Sequence, residues 1–414
     1  MRVCFATLVH HPEDARIMHR QIRALLDAGH DVTYVAPFTD CNVTPDPRIR
    51  AVDVPRATGR RRARALRAAR GALSRGVEGA DLLLVHDAEL LLRLPRRRPV
   101  TVWDVRQEPG ESAAALARLP LRLAARALFP AFPAFPAFPA SPNSPDRPSG
   151  SPSSLVRRLE ARAERRVRLI LAEESYRERF TGAHPVVPET ACVPRRPPLP
   201  PGRQSRVVHL GRLSADRGAA ELVELARRLA PHGIRLDLIG PADAGTRPLL
   251  RDAQRQGLLD WYGHVPDRHA ARMAEGSLAG LVLAHDLPVG ASDGAPDGVS
   301  RDPRPVPAKV IGYMARGLPV VTTPVPATAA LVERVRCGVV VPYGDAGAAA
   351  RAVLALRDDP AGAAAMGARG HAEAALRHDW AGHAGAFVAL LEEWAGKPVT
   401  ADPALDVLEP WHAI

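Results

Sequence analysis

The chain is almost without lysine. Of its 56 lysines and arginines, lysine occupies only Lys309 and Lys397. Cysteine is scarce as well: Cys4, Cys41, Cys192 and Cys337 lie far apart and form no CxxC pair. That excludes a disulfide framework and a zinc site of the usual spacing, and it points to the reducing cytoplasm. No apolar run approaches the ~20 residues that a membrane span needs. The opening apolar stretch reaches His10-His11-Pro12 too soon to read as a secretory leader. Glycine is missing from the turn after the first strand-like run, so the GxGxxG dinucleotide fingerprint is absent there. No GxxxxGK[ST] loop occurs anywhere. A nicotinamide or flavin enzyme of the usual kind and a P-loop NTPase are both disfavoured.

What is present is 414 residues, 46% hydrophobic and 24% charged, enough for two domains with proper cores. The formal charge of +11 rests on arginine in a chain also rich in alanine and proline. This is the mark of a GC-rich coding bias that spreads arginine without regard to function. With no recognition fold and no interleaved aromatics, nucleic acid is not expected as a partner.

Strand-like runs at residues 2–7, 31–37, 49–54, 81–86, 100–104 and 167–172 alternate with helix-like segments, the first at 14–28. Alternation restarts after a proline cluster, with strands expected at 206–210, 235–239, 278–284, 319–322 and 339–341. A helix over 219–230 puts Leu222, Leu225, Ala226 and Leu229 on one face. Helices at 361–376 and 380–394 follow with no further strand. The expected fold is α/β, two doubly wound Rossmann-like domains facing a cleft. The first domain spans 1–194 and carries a Pro/Ser-rich insertion at 129–154, whose repeated Phe-Pro-Ala forbids helix and ladder. Residues 195–202 read as a linker and 203–378 as the second domain. Residues 379–414 read as a helix crossing back to the first domain, with a tail.

The run Val207-Val208-His209-Leu210-Gly211-Arg212-Leu213-Ser214, continuing to Arg217-Gly218, reads as strand, glycine turn, helix start. Gly211 lets backbone approach a ligand, and Arg212 and Arg217 flank an anion site beside a helix N-terminus. Two solvent-facing arginines are the plainer alternative.

Several stretches together resemble family-4-type glycosyltransferases of the GT-B fold. Lys309-Val310-Ile311-Gly312-Tyr313-Met314-Ala315-Arg316-Gly317-Leu318-Pro319-Val320-Val321 is similar to the family's K-x-x-E-Y-M-A-x-G-L-P-V-V. The openings His11-Pro12-Glu13-Asp14-Ala15-Arg16 and Gly29-His30-Asp31-Val32 are similar too, as are Gly211-Arg212-Leu213-Ser214 and Cys337-Gly338-Val339. The likeness runs over nearly the whole chain apart from the insertion.

That resemblance implies transfer of a sugar from a nucleotide sugar to an acceptor, with retention and without an obligatory metal or other cofactor. It places the nucleotide in the second domain. Gly211, Arg212, Arg217 and Lys309 match diphosphate contacts, Val265 belongs to Gly263-His264-Val265, which resembles the loop facing the nucleobase, and Gly312 stands near the ribose. Asp14, His11 and Arg106 are the acceptor-side or catalytic candidates. A lipid-linked, envelope-polysaccharide or natural-product acceptor is implied without being named.

The departures matter as much. Gly312 stands where the family usually has a glutamate for the ribose hydroxyls, and Arg304 where many relatives carry its partner. In Val102-Trp103-Asp104-Val105-Arg106-Gln107-Glu108, which resembles Y-D-V-H-E-D, arginine replaces histidine. Arginine cannot take over histidine's proton chemistry. Two readings stay open: an active transferase with rearranged donor contacts, or a degenerate relative serving as a binding partner in a biosynthetic complex.

Arg56 to Arg75 holds eight arginines and no acid. It reads either as a solvated basic face or as a peripheral contact with anionic lipid on the inner membrane face. The adjacent Glu173 and Glu174 point opposite ways in extended chain and make no glycosidase pair. The loop acids Asp293 and Asp297 are not a metal-binding DxD.

Overall fold

The computed structural model describes residues 1–106, 152–284 and 306–399. They form two compact units. The first takes in the described residues of Met1–Pro188 and Ala384–Ile414, the second Glu189–His383.

The first unit is built on strands β1 (Arg2–Ala6), β2 (Asp31–Ala36), β3 (Ile49–Asp53), β4 (Leu82–Val85), β5 (Val100–Val105) and β6 (Arg168–Leu171). Every neighbouring pair is parallel, in the order β3-β2-β1-β4-β5-β6. Strand β4 buries all four of its residues, the pattern of a strand covered on both faces rather than one. Its helices are α1 (Arg23–Asp27), α2 (Phe38–Cys41), α3 (Arg62–Gly76) and α4 (Pro152–Glu164). Ala65, Leu66, Ala69 and Leu73 of α3 pack with Cys4, Ala6, Val35 and Leu83 of the sheet.

The first helical segment departs from expectation. Residues Ile17–Ile22 wind as a π-helix before α1 continues, with Gln21 N–H donating to Arg16 O five residues back at 3.0 Å. Such segments recur at functional sites. The insertion lies outside the described residues except for its last three positions. There α4 already begins at Pro152, where proline's fixed φ suits a first helical residue.

The second unit repeats the plan with β7 (Arg206–Leu210), β8 (Arg235–Ile239), β9 (Leu259–Gly263), β10 (Gly280–Val282), β11 (Val320–Thr322) and β12 (Gly338–Val340). The order is β12-β11-β10-β7-β8-β9, again all parallel. Strand β9 is the one the sequence pattern misses. It is an edge strand, and Leu259 alone of its five residues is fully buried, so no apolar run marks it.

The helices of this unit are α5 (Ala219–Leu229), α6 (Arg247–Arg255), α7 (Asp267–Ala274), α8 (Ala308–Ala315), α9 (Pro326–Val335), α10 (Ala346–Asp358) and α11 (Pro360–Arg377). The expected apolar face of α5 packs with Val207, Leu236, Leu238 and α10 on one side of the sheet. Val310, Ile311, Tyr313 and Met314 of α8 cover the other side with Val208 and Ile239. The last helix, α12 (Trp380–Trp394), carries the chain from the second unit into the first. There Glu392 Oε1 lies 2.9 Å from His30 Nε2.

The proline cluster around residues 195–202 belongs to the second unit. Gly202 N–H donates to Ser277 O at 3.2 Å, and Pro198 lies against Gly317. Among the described residues no helix is long and apolar enough to cross a membrane.

One close approach in the second sheet is between Gly280 and Tyr313. A methyl on Gly280 would lie 2.3–2.5 Å from three atoms of the ring. The ring cannot swing away without cost, because its hydroxyl accepts from Leu210 N–H at 2.7 Å. Gly280→Ala is therefore expected to destabilise the protein by about 1–3 kcal/mol, the usual cost of overpacking. An unchanged urea midpoint would refute this account of the glycine.

Candidate functional site

Each sheet starts a strand in its middle, fills one side, then returns to fill the other. The reversals fall between β1 and β4 and between β7 and β10. Beyond the carboxyl ends of two such strands the connections diverge and leave a crevice, the usual ligand position in open α/β sheets. The polar residues of both units collect there.

In the second unit β7 ends at Leu210 and the chain turns at Gly211, with φ +104°. The turn is pressed against the end of β8: a Cβ on Gly240 would lie 1.9 Å from Gly211 O. Lys309, on the first turn of α8, brings Cε and Nζ to 3.8 Å from where a Gly211 Cβ would stand. Its Nζ lies 3.3 Å from Nε2 of the buried His209, whose Nδ1 is 3.1 Å from Leu281 O. Burial, then the Lys309 charge, holds His209 well below its usual pKa, so the ring is neutral. Burial and the Arg217 charge bring Lys309 down to about 7. Among the described residues no carboxylate pairs with Lys309. This is a basic pocket floor with backbone exposed at a glycine, fit for an anion.

In the first unit the arrangement is acidic at its base. Asp87, after β4, accepts from Leu8 N–H, from Val9 N–H at 3.3 Å and from the Thr7 hydroxyl at 3.1 Å. Asp104 of β5 is fully buried and receives Arg16 through Nε at 2.8 Å and Nη2 at 2.9 Å. Gln21 donates to it at 2.7 Å, and His86 Nδ1 stands 3.4 Å away. Burial alone would raise the Asp104 carboxyl, but Arg16 and His86 hold it well below the usual range. Burial pushes the His86 imidazole down.

Asp14 caps the π-helical segment, its Oδ1 accepting from Arg16 N–H at 3.0 Å and Ile17 N–H at 3.1 Å. Arg106 Nη1 donates to the same oxygen at 3.0 Å. Against the effect of burial, Arg106, His10 and the Ile17 amide keep Asp14 ionised far below the usual carboxylate range. His10 stands between Asp14 and Asp87, 3.7 Å from one and 3.5 Å from the other.

Three comparisons with known proteins bear on these sites. Residues 204–359 match the family described as glycosyl transferases group 1. Over 164 residues the chain is 27% identical to WcaL of Escherichia coli (strain K12), named for a glycosyltransferase role in colanic acid biosynthesis. That match takes in 39% of this chain and 38% of WcaL, so it spans well under half of the relative.

Residues 204–359 are thus similar to group 1 glycosyltransferases.

The whole fold agrees. Sucrose-phosphate synthase of Thermosynechococcus elongatus superposes with a TM-score of 0.65 at 17% identity, covering 95% of this chain and 98% of that one. Anabaena HepE, solved in complex with UDP and glucose, gives 0.60 at 15% identity, over 95% of this chain and 100% of its own. At such identities the likeness establishes the fold, which is GT-B, two parallel six-stranded sheets with flanking helices.

Within the matched residues the structure brings Gly211 and Lys309 together and sets Arg217, half-buried, where its charge reaches Lys309. Arg212 is exposed on the turn after Gly211. Gly312 lies three residues beyond Lys309 on α8, and a Cβ there would meet nothing within 4 Å. Val265 follows β9, two strands from β7, and packs against the cluster that holds Val310 and Ile311. Arg304, Asp293 and Asp297 lie outside the described residues.

In the first unit Asp14 and Arg106 are joined directly, whereas His11 Nδ1 accepts from Glu13 N–H at 3.2 Å within its own turn. His10, not His11, is the histidine set between the carboxylates. Sequence reasoning gave no role to His209, Tyr313, Gln21 or Asp104. For His209 and Asp104 the available sign was position, a polar residue near the carboxyl end of an otherwise apolar strand; Gln21 and Tyr313, on helical segments, carried none.

Asp104→Asn leaves buried Arg16 without its counter-charge and is expected to cost about 3–5 kcal/mol at neutral pH. Because Asp104 titrates below the ~3.9 of an unfolded aspartate, its contribution is complete above pH ~4 and is lost on further acidification. Denaturation curves should therefore show wild type and variant converging as pH falls below about 4. A pH-independent gap would contradict the charge account.

Proposed function

We propose that the chain is a glycosyltransferase that moves a sugar from a nucleoside diphosphate sugar to an acceptor hydroxyl in polysaccharide assembly. One observation carries the reading. Inside the matched domain, at the second reversal, Lys309 stands beside the glycine turn with no carboxylate among the described residues to neutralise it. The name of WcaL supports glycosyl transfer in polysaccharide assembly, and the UDP bound to HepE supports the donor class.

In this reading the bond from the anomeric carbon to the β-phosphate oxygen breaks as the sugar becomes oxocarbenium-like. Lys309, Arg217 and Arg212 then hold the negative charge that gathers on the departing diphosphate. Cations fixed in advance stabilise such charge without reorganisation, so the proposal requires no metal. Retention of configuration belongs to the proposal through the family resemblance. The first unit's site takes the acceptor. There ionised Asp14, oriented by Arg106, suits a hydroxyl that must be positioned by an accepted hydrogen bond, while its proton passes to the departing diphosphate oxygen. His11, engaged in its own turn, is given a lesser part than His10.

The open space at Gly312 favours a second reading. With no carboxylate to meet the ribose, the domain serves as a catalytically degenerate partner. Calorimetry with UDP, GDP, dTDP and ADP separates the two. A working donor site binds one of them, loses about ten- to hundredfold in affinity in Arg212→Ala, and gains a similar factor in Gly312→Glu, since a charged hydrogen bond contributes about 1.5–3 kcal/mol. Binding unaffected by Arg212→Ala overturns the site assignment. Absence of binding across the panel selects the partner reading.

Arg61, Arg64, Arg67, Arg70 and Arg75 stand exposed along α3 and the turn before it. A peripheral contact with anionic lipid is proposed for this stripe. It predicts cosedimentation with phosphatidylserine vesicles that is lost at high salt or on replacing Arg64, Arg67 and Arg70 by serine. Equal recovery without vesicles identifies a solvated face instead.

A further inference from the structure

The histidine beneath Lys309 has no part in the donor contacts just described, yet it is buried and its hydrogen bonds are specific. Its Nδ1, 3.1 Å from Leu281 O, is the nitrogen that carries the proton, because a carbonyl accepts and cannot donate. Nε2 is then a lone pair, and it faces Lys309 Nζ at 3.3 Å. The ring is held by Leu281 of β10 and by the Arg212 backbone, and its Nε2 faces the amine.

Resting on the donor-site reading above, we propose that His209 is a positioning residue for Lys309, and that the pair couples binding of a nucleoside diphosphate to uptake of one proton.

The surroundings of the amine support this. From β7 it meets the neutral imidazole. On α8 the Tyr313 hydroxyl is occupied by Leu210 N–H and Leu281 O. The helical turn at Ala215–Arg217 contributes Arg217, a like charge, and the exposed Arg212 adds another on the turn before it. No described acid pairs with the amine. An ammonium in such a place lacks a counter-ion until a diphosphate arrives, and the ammonium form is the one that a diphosphate needs. The neutral amine keeps its place meanwhile by donating to Nε2. An incoming phosphate therefore finds the amine already aimed and draws a proton onto it. His209 supplies direction and a hydrogen bond that favours the charged form without adding charge of its own.

The scarcity of lysine makes the test direct. Amines of the free protein are acetylated with N-hydroxysuccinimidyl acetate across pH 6 to 9.5, and the peptides carrying Lys309 and exposed Lys397 are quantified by mass spectrometry. The expected Lys309 profile has its midpoint at about 7. In His209→Leu, which removes the acceptor, the midpoint is expected to fall by about one further unit, and His209→Gln restores it in part. A histidine with a purely structural role would leave the amine's profile unmoved.

In a second arm, UDP affinity is measured from pH 7.5 to 8.5, where the phosphates are already ionised. It is expected to fall about tenfold as the free amine loses its proton. Heats in buffers of different ionisation enthalpy should show uptake approaching one proton per UDP. An ordinary alkaline midpoint for Lys309 in wild type, or UDP binding flat over that range, overturns the proposal. If Lys309 titrates as expected and responds to His209, but no nucleotide of the panel protects it, the donor-site reading fails. The proton coupling falls with it, and the His209 positioning role stands.

Discussion

Two parallel strands that lie side by side, with connections leaving in opposite directions, cannot satisfy all the backbone groups at their carboxyl ends. This constraint organises both units. In each, the N–H groups just beyond the central strand need acceptors that the ladder no longer supplies. The first unit answers with a carboxylate, Asp87, taking Leu8 N–H, Val9 N–H and the Thr7 hydroxyl. The second answers with a phenol, Tyr313, taking Leu210 N–H. Identical strand order thus meets two different chemistries. One crevice acquires a fixed negative base that draws in Arg16, His10 and Arg106. The other keeps a neutral base, and its lysine pairs with no carboxylate among the described residues.

In the proposed function that difference sets the division of labour. A carboxylate buried beneath the first reversal demands partners, and the Arg16–Asp104 pair with Gln21 and His86 forms a rigid floor under Asp14. Rigid, ionised acids suit the orientation of hydroxyls. The neutral floor of the second unit leaves positive potential directed outward, where a diphosphate can use it. Tyr313 is central here in two ways. Its ring fills the space that only Gly280 leaves open, and its hydroxyl ends β7 without adding charge beside Lys309.

How far the sequence discloses this differs between fold and site. Interior strands such as β4 are legible because a strand covered on both faces must be apolar throughout. Edge strand β9 is not, because one buried residue in five leaves no pattern. The glycine turn and Lys309 are legible as motifs. Their partners are not, because His209 and Leu281 become neighbours only through the pairing of β7 with β10, 72 residues apart in sequence. Likewise His10 and His11 are indistinguishable on paper. Which of them meets Asp14 and Asp87 depends on the path taken by the turn before the π-helical segment.

The position of Gly312 has a further consequence for selectivity. A side chain there would project into open space on the same helix as Lys309, one turn on. With that space unfilled by a carboxylate, a donor would be held chiefly through its phosphates, by groups that carry charge but do not read a ribose. Charge attraction ranks ligands by anionic content and scarcely distinguishes one nucleoside from another. Discrimination among donors would then have to come from apolar packing near Val265 and from the sugar itself. On that argument the absent glutamate costs affinity at the ribose and leaves the diphosphate contacts as the main hold. Conserving the cations while losing the carboxylate is therefore consistent with a site that still favours a diphosphate.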